Sequence, residues 1–169
     1  MKRGTAKDVS AIVASAGEIV GRTRLQKTAT LLELTGVGFD FPFSYHLYGP
    51  YSDELVVATD RAVALGYMRE EERRAAWGGR YTVFSAPART SSGNAARDKL
   101  IELARVADSI VLELAVTAAF LASEGEADPW RELEERKPEK ITRARLSQAK
   151  ALYREFAAVD VPRPLPAIV

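Results

Sequence analysis

Tyr45-His46-Leu47-Tyr48-Gly49-Pro50-Tyr51-Ser52-Asp53-Glu54-Leu55 carries a strand, a turn and a helix start in one continuous stretch. Aromatic residues suit a pleated, half-buried surface, so Phe43 to Leu47 reads as a short strand, and Gly49-Pro50 reads as a turn. Ser52 stands ahead of Asp53 and Glu54, an N-cap followed by two acids where the positive end of the helix dipole favours them. The helix opened there places Leu55, Val56, Thr59, Ala62 and Val63 on one face and stops near Leu65-Gly66.

Upstream, Val9, Ile12, Val13 and Ala16 recur at helical spacing over about residues 7–16, and Gly17 ends that helix. Thr23 is the expected N-cap of a second helix with Leu25, Thr28, Ala29 and Leu32 inward, closed by Gly36 and Gly38. Downstream, 67–72 and 79–85 flank Gly78-Gly79 and predict a two-stranded hairpin with a fairly long charged loop, the Glu70-Glu71-Glu72-Arg73-Arg74 run being solvated. Helix, helix, short strand, helix, hairpin is the order of a winged helix-turn-helix. The fold class expected is mainly α with a small β-hairpin (α+β): a winged-helix-like half over 1–86, a linker over 87–94 and a helical half over 95–158 packed on the first. The helical half reads as helices over 95–106, 110–123, 129–136 and 142–158, with Asp128 and Pro129 opening the third. The proline-rich tail, 159–169, cannot be helical and either lies over the surface or stays mobile; its apolar end suits packing on the helical half or on a twin subunit.

The chain has 169 residues, 24 basic and 23 acidic, for a net charge of +1. Such a balance offers no global attraction to nucleic acid or anionic lipid. The absence of cysteine removes disulfides, thiolate nucleophiles and sulfur-ligated zinc, and fits a cytoplasmic chain. The longest apolar run, Ile110 to Ala122, falls short of the roughly 20 residues that span a bilayer, so no membrane is expected. No nucleophile elbow and no phosphate-binding Gly-Lys-Ser or Gly-Lys-Thr loop occurs. The reading is therefore of a non-enzyme without cofactor, although Asp53, Glu54 or Glu113 leaves a carboxylate pair open in three dimensions. Glu113, inside the most apolar helix, is read either on a narrow exposed stripe or paired with a basic residue of the last helix.

The candidate partner-binding residues are Arg22, Arg24, Gln26, Lys27, Tyr45, His46, Tyr48, Tyr51, Ser52, Asp53 and Glu54. Arg22, Arg24 and Lys27 lie on the outer side of helix two if Leu25 points inward, where they either contact phosphate or an acidic partner, or are solvated or paired with Asp53 and Glu54 inside the same fold. Gln26-Lys27 with the Gly-Pro turn has a second reading, as structural glue in which a buried or half-buried amide satisfies backbone groups of the turn. The tyrosines, with Phe41 and Phe43, either fill the gap between helices or form a protein-contact surface. His46 has no second histidine with which to share a metal. A rival set for nucleic acid is Arg22, Arg24, Arg69, Arg73, Arg74 and Arg80. Against it, Glu70 to Glu72 interleave the wing, and the helix that would probe a groove opens with Asp53-Glu54 and has Arg61 as its one cation.

Gly21-Arg22-Thr23-Arg24-Leu25-Gln26-Lys27, the stretch from Tyr45 to Leu55 and Leu65-Gly66-Tyr67 resemble the bacterial and archaeal YwgA-type proteins of unknown function, which are similar to SocA-like (Panacea) antitoxin domains. Lys137-Pro138-Glu139-Lys140 before a helix also looks like the YwgA-type ending. The resemblance implies a winged-helix-like fold and a non-catalytic role. In the SocA-like domains that role is binding a toxin protein, to neutralise it or deliver it to a protease. Tyr51 stands where those antitoxin domains carry an aliphatic residue, and the helical C-terminal half is additional. The expected partner is thus another protein, with a toxin as one form of it and a homodimer compatible with the apolar helical half.

Overall fold

The computed structural model describes residues 3–168, so Met1, Lys2 and Val169 of the terminal segments lie outside the described residues. Helix α1 (Ala6–Ala16) opens on a capping box. The Thr5 hydroxyl accepts from the Asp8 amide at 3.3 Å, and the Asp8 carboxylate accepts from the Thr5 amide at 2.8 Å. Val9, Ile12, Val13 and Ala16 are buried, as their spacing predicts.

Strand β1 (Glu18–Val20) carries no sequence signal. It exists because β5 (Arg80–Ser85) pairs with it antiparallel, Ile19 opposite Phe84. Gly21 then donates its amide to the Thr82 carbonyl at 2.7 Å and caps α2 (Arg22–Leu34), so the helix starts before the expected cap at Thr23. Every residue from Leu25 to Leu32 is buried, not a single stripe. The reason is position: α2 runs through the middle of the molecule, between α4 (Ala95–Val106), α5 (Ser109–Ser123) and β3 (Gly49–Tyr51).

β3 pairs with β2 (Ser44–His46), Tyr45 opposite Pro50, and Leu47-Tyr48 make the turn between them. This corrects the expected turn at Gly49-Pro50, which lies within a strand. Gly49, at φ 94°, lies so near α5 that an added Cβ would stand 2.5 Å from Thr117 Oγ1; the glycine serves close approach rather than reversal. Ser52 caps α3 (Asp53–Ala64), its hydroxyl accepting from the Leu55 amide at 3.1 Å. Leu55, Ala58, Thr59 and Ala62 of α3 are buried.

β4 (Arg69–Arg74) pairs along its whole length with β5, giving the sheet order β1-β5-β4. Glu70 to Arg74 therefore lie in a strand, and the loop is Ala75 to Gly79; an edge strand wetted on both faces accommodates charge that an inner strand rejects. Beyond it, Asn94, Asp108, Asp128 and Thr142 cap α4, α5, α6 (Pro129–Arg136) and α7 (Arg143–Ala157). The molecule is mixed α+β, with seven helices among the described residues, and no described helix is long and apolar enough to cross a membrane.

A continuous core joins Val9, Ile19 and Leu55 to Leu112, Leu133 and Phe156. The segment 87–94 is fastened to it. The Thr90 amide donates to the Ala14 carbonyl at 2.9 Å, and Asp98 accepts from Ser15, Ser91 and Ser92. Burial alone would raise the Asp98 carboxyl, but these bonds hold it well below the usual carboxylate range. The tail lies over the surface rather than free: Leu165 is buried, the Arg163 amide donates to the Thr35 carbonyl at 3.0 Å, and the Tyr153 hydroxyl donates to the Pro166 carbonyl.

Candidate functional site

The buried half of α2 supports the hairpin that the opening stretch encodes. The Gln26 amide reads Ser52 twice, donating to its carbonyl at 3.0 Å and accepting from its amide at 2.9 Å. One helical position on, the Lys27 ammonium donates to the Pro50 carbonyl at 3.0 Å and is 1% exposed. Lys27 thus lies inward, correcting the expectation of an outward basic cluster. Arg24 is likewise committed to the interior, its guanidinium donating to the Ala104 and Ala107 carbonyls at 2.7 and 2.6 Å and so satisfying orphan acceptors at the end of α4. Arg24, Gln26 and the buried Ser52 thus spend hydrogen bonds inside the fold and hold the site in shape.

Lys27 belongs to a buried ionic cluster. Glu113 of α5, 3% exposed, accepts from Lys140 at 2.7 and 3.0 Å and has the Lys137 ammonium 3.8 Å away. Three ammonium groups therefore share one carboxylate. Burial, opposed by Glu113, brings the Lys27 ammonium down to about 8, and burial lowers Lys137 also. Glu113 does find basic partners, but they come from the loop between α6 and α7 and not from the last helix, and the carboxylate is enclosed rather than on an exposed stripe. One turn along α5, Thr117 Oγ1 is buried with no hydrogen-bond partner. Replacing Thr117 with valine keeps the shape and removes an unsatisfied hydroxyl, so stability should be unchanged or rise by up to about 1 kcal/mol. Urea unfolding reads this, and a clear loss would show that the hydroxyl has a partner after all.

Next to this cluster a slot of about 160 Å³ opens between α2, α3, β5 and the β2–β3 hairpin. Leu25, Leu55, Val56 and Phe84 supply apolar walls, Tyr48 and Tyr51 the hairpin side, Arg22 and Thr23 the exposed rim, and Lys27 the buried inner end. The structure thus gathers Arg22, Gln26, Lys27, Tyr48 and Tyr51 from the expected set into one cavity wall. The rest lie outside it. Tyr45 packs under the Arg136 guanidinium at 4.6 Å. His46 lies exposed, 5.2 Å from the Tyr51 ring. Glu54 pairs with Arg3 at 2.6 Å, not with the α2 cations, and Asp53 is exposed in the first turn of α3. Phe84, Lys137 and Lys140 belong to the site without having been candidates; a carboxylate inside an apolar helix signals that a cation must meet it, but not which one.

The rival arginines are brought partly together, Arg22, Arg24 and Arg80 lining a shallow hollow at the start of α2. Acids of the β1-β5-β4 sheet meet several of them. Arg22 pairs with Glu70, Arg73 with Glu71 at 3.0 Å and Glu18 at 3.5 Å, and Arg80 with Glu72 at 3.4 Å. Arg69 and Arg74 lie exposed on β4. Apolar residues stand at the tips of both hairpins: Leu47 is 89% exposed, Tyr48 63% and Trp77 80%.

Fold and site define an α+β chain with an apolar, cation-edged slot between its central helix and its two hairpins. No family model and no solved structure matches it. The uncharacterized protein YwgA of Bacillus subtilis (strain 168) is similar, 32% identical over 63 residues that make up 37% of this chain and 38% of YwgA, so the match spans well under half of either protein. This likeness supports a YwgA-type relationship.

Proposed function

We propose that the chain is a non-catalytic, cytoplasmic protein-binding module built on a winged-helix-like scaffold, its contact surface formed by the β2–β3 hairpin, the slot beside it and the wing tip. The observation that carries this reading is the exposure of Leu47, Tyr48 and Trp77 at the hairpin tips. Large apolar groups held in water favour protein contact, and Trp and Tyr dominate binding energy where they are covered. Pairing of Arg22, Arg73 and Arg80 with Glu70, Glu71 and Glu72 supports polypeptide over polyphosphate. The resemblance to SocA-like domains suggests a toxin protein as partner, in an antitoxin-like or adaptor-like role.

Crosslinking in cells, followed by capture of the wild type and of a Leu47→Ser, Trp77→Ser double variant, tests the surface. Both positions are exposed, so the variant should fold, and a directly crosslinked protein should fall at least about tenfold in the variant, the loss of one or two interface anchors. Equal recovery would remove this surface. Binding of the purified chain to duplex DNA that weakens steeply with salt would instead favour a DNA-binding regulator.

A further inference from the structure

The slot beside the hairpin has a lining chemistry that selects its occupant. Its volume, about 160 Å³, is close to that of a cavity that accepts one benzene ring, about 150 Å³. Leu25, Leu55, Val56 and Phe84 make it apolar, which suits one aromatic or branched side chain. Its charges have one sign: Arg22 at the rim and Lys27 at the inner end, with no carboxylate in the lining. Behind Lys27 the field stays positive, because Glu113 faces Lys137 and Lys140 as well. Arg22 already holds a carboxylate, that of Glu70 from the neighbouring strand, and the Arg22 side chain remains 61% exposed, open to a second.

A ring and a carboxylate presented together complement this lining. Successive residues of an extended peptide point to opposite sides, so an internal acid next to an aromatic residue presents the two groups apart. A C-terminal residue carries both on one Cα. We infer that the slot receives the C-terminal residue of a partner polypeptide, its aromatic or branched side chain between Leu25, Leu55, Val56 and Phe84 and its free α-carboxylate on the Arg22 guanidinium beside the Thr23 hydroxyl. This rests on the protein-binding reading and adds which part of the partner is held.

The test uses the whole chain and two fluorescent peptides ending in Gly-Ser-Gly-Phe, one with a free carboxylate and one amidated, titrated by anisotropy. The acid should bind at least about tenfold more tightly than the amide, the scale of one charge-assisted hydrogen bond. Arg22→Gln, at an exposed position, should abolish that preference, and Glu70→Gln, which removes the competing carboxylate, should strengthen binding of the acid only. Val56→Trp should fill the slot and end binding while leaving the circular dichroism unchanged. Equal affinities for acid and amide, or saturable binding of neither, would overturn the proposal. Equal binding of free hydrocinnamate would also overturn it, assigning the slot to a small acid instead of a chain end. If the Leu47 and Trp77 surface still captures a protein while the peptides fail, the protein-binding reading stands and this one does not.

Discussion

Glu113→Gln should lower stability by about 3–5 kcal/mol, the scale for removing one partner from a buried ion pair, and read as a fall in the urea midpoint at unchanged slope. The carboxylate is the shared counter-charge of Lys140, at 2.7 Å, and Lys137, at 3.8 Å, and its field reaches Lys27. Glutamine keeps the volume and can still accept a hydrogen bond from Lys140, but leaves the buried Lys27 and Lys137 and the half-buried Lys140 repelling one another. Lys140→Met should be milder, because that side chain is 25% exposed and its loss leaves Glu113 with Lys137. A loss below about 1 kcal/mol for Glu113→Gln, as for an exposed pair, would show that water reaches the cluster and screens it.

Raising the pH should stabilise the fold through Lys27. Its folded-state value, about 8, lies below the ordinary lysine value of 10.5, so between these limits the unfolded chain binds more protons and stability rises with pH. Below about pH 8 the full cost of burying the charged ammonium is present; above 10.5 both states are neutral and that cost has gone. The span corresponds to about 3 kcal/mol at 1.36 kcal/mol per unit. Because other groups titrate in the same range, the measurement is the difference between wild type and Lys27→Met in urea unfolding from pH 7 to 10, where wild type should gain on the variant. A difference flat across that range would mean that the ammonium stays protonated, held by Glu113 more strongly than burial opposes it.

What was legible in the sequence was local. The Ser52, Asp128 and Pro129 signals mark helix starts because capping acts within three or four residues, and Val9, Ile12, Val13 and Ala16 show one buried face because α1 has only one. Features set by distant partners were hidden. Glu18-Ile19-Val20 is a strand only through β5, more than sixty positions on. Lys27 looks like a surface cation from helical spacing, yet α2 is covered nearly all round by α4, α5 and β3, so no outer side exists at its middle. Gly49-Pro50 has turn composition, but the close approach of Thr117 governs its glycine. Of the site, the Arg22, Gln26, Lys27, Tyr48 and Tyr51 part was legible because it sits on two short stretches, 22–27 and 48–51. Phe84, Lys137 and Lys140 arrive from elsewhere in the chain.

Residues 87–94 have the makeup of a tether and the hydrogen bonding of a rivet. With Ser91 and Ser92 closed on Asp98, Thr90 bonded to Ala14, and Arg89 reaching Ser15 at 3.0 Å and Glu102 at 2.6 Å, the stretch offers a digestive enzyme no slack to pull into an extended strand.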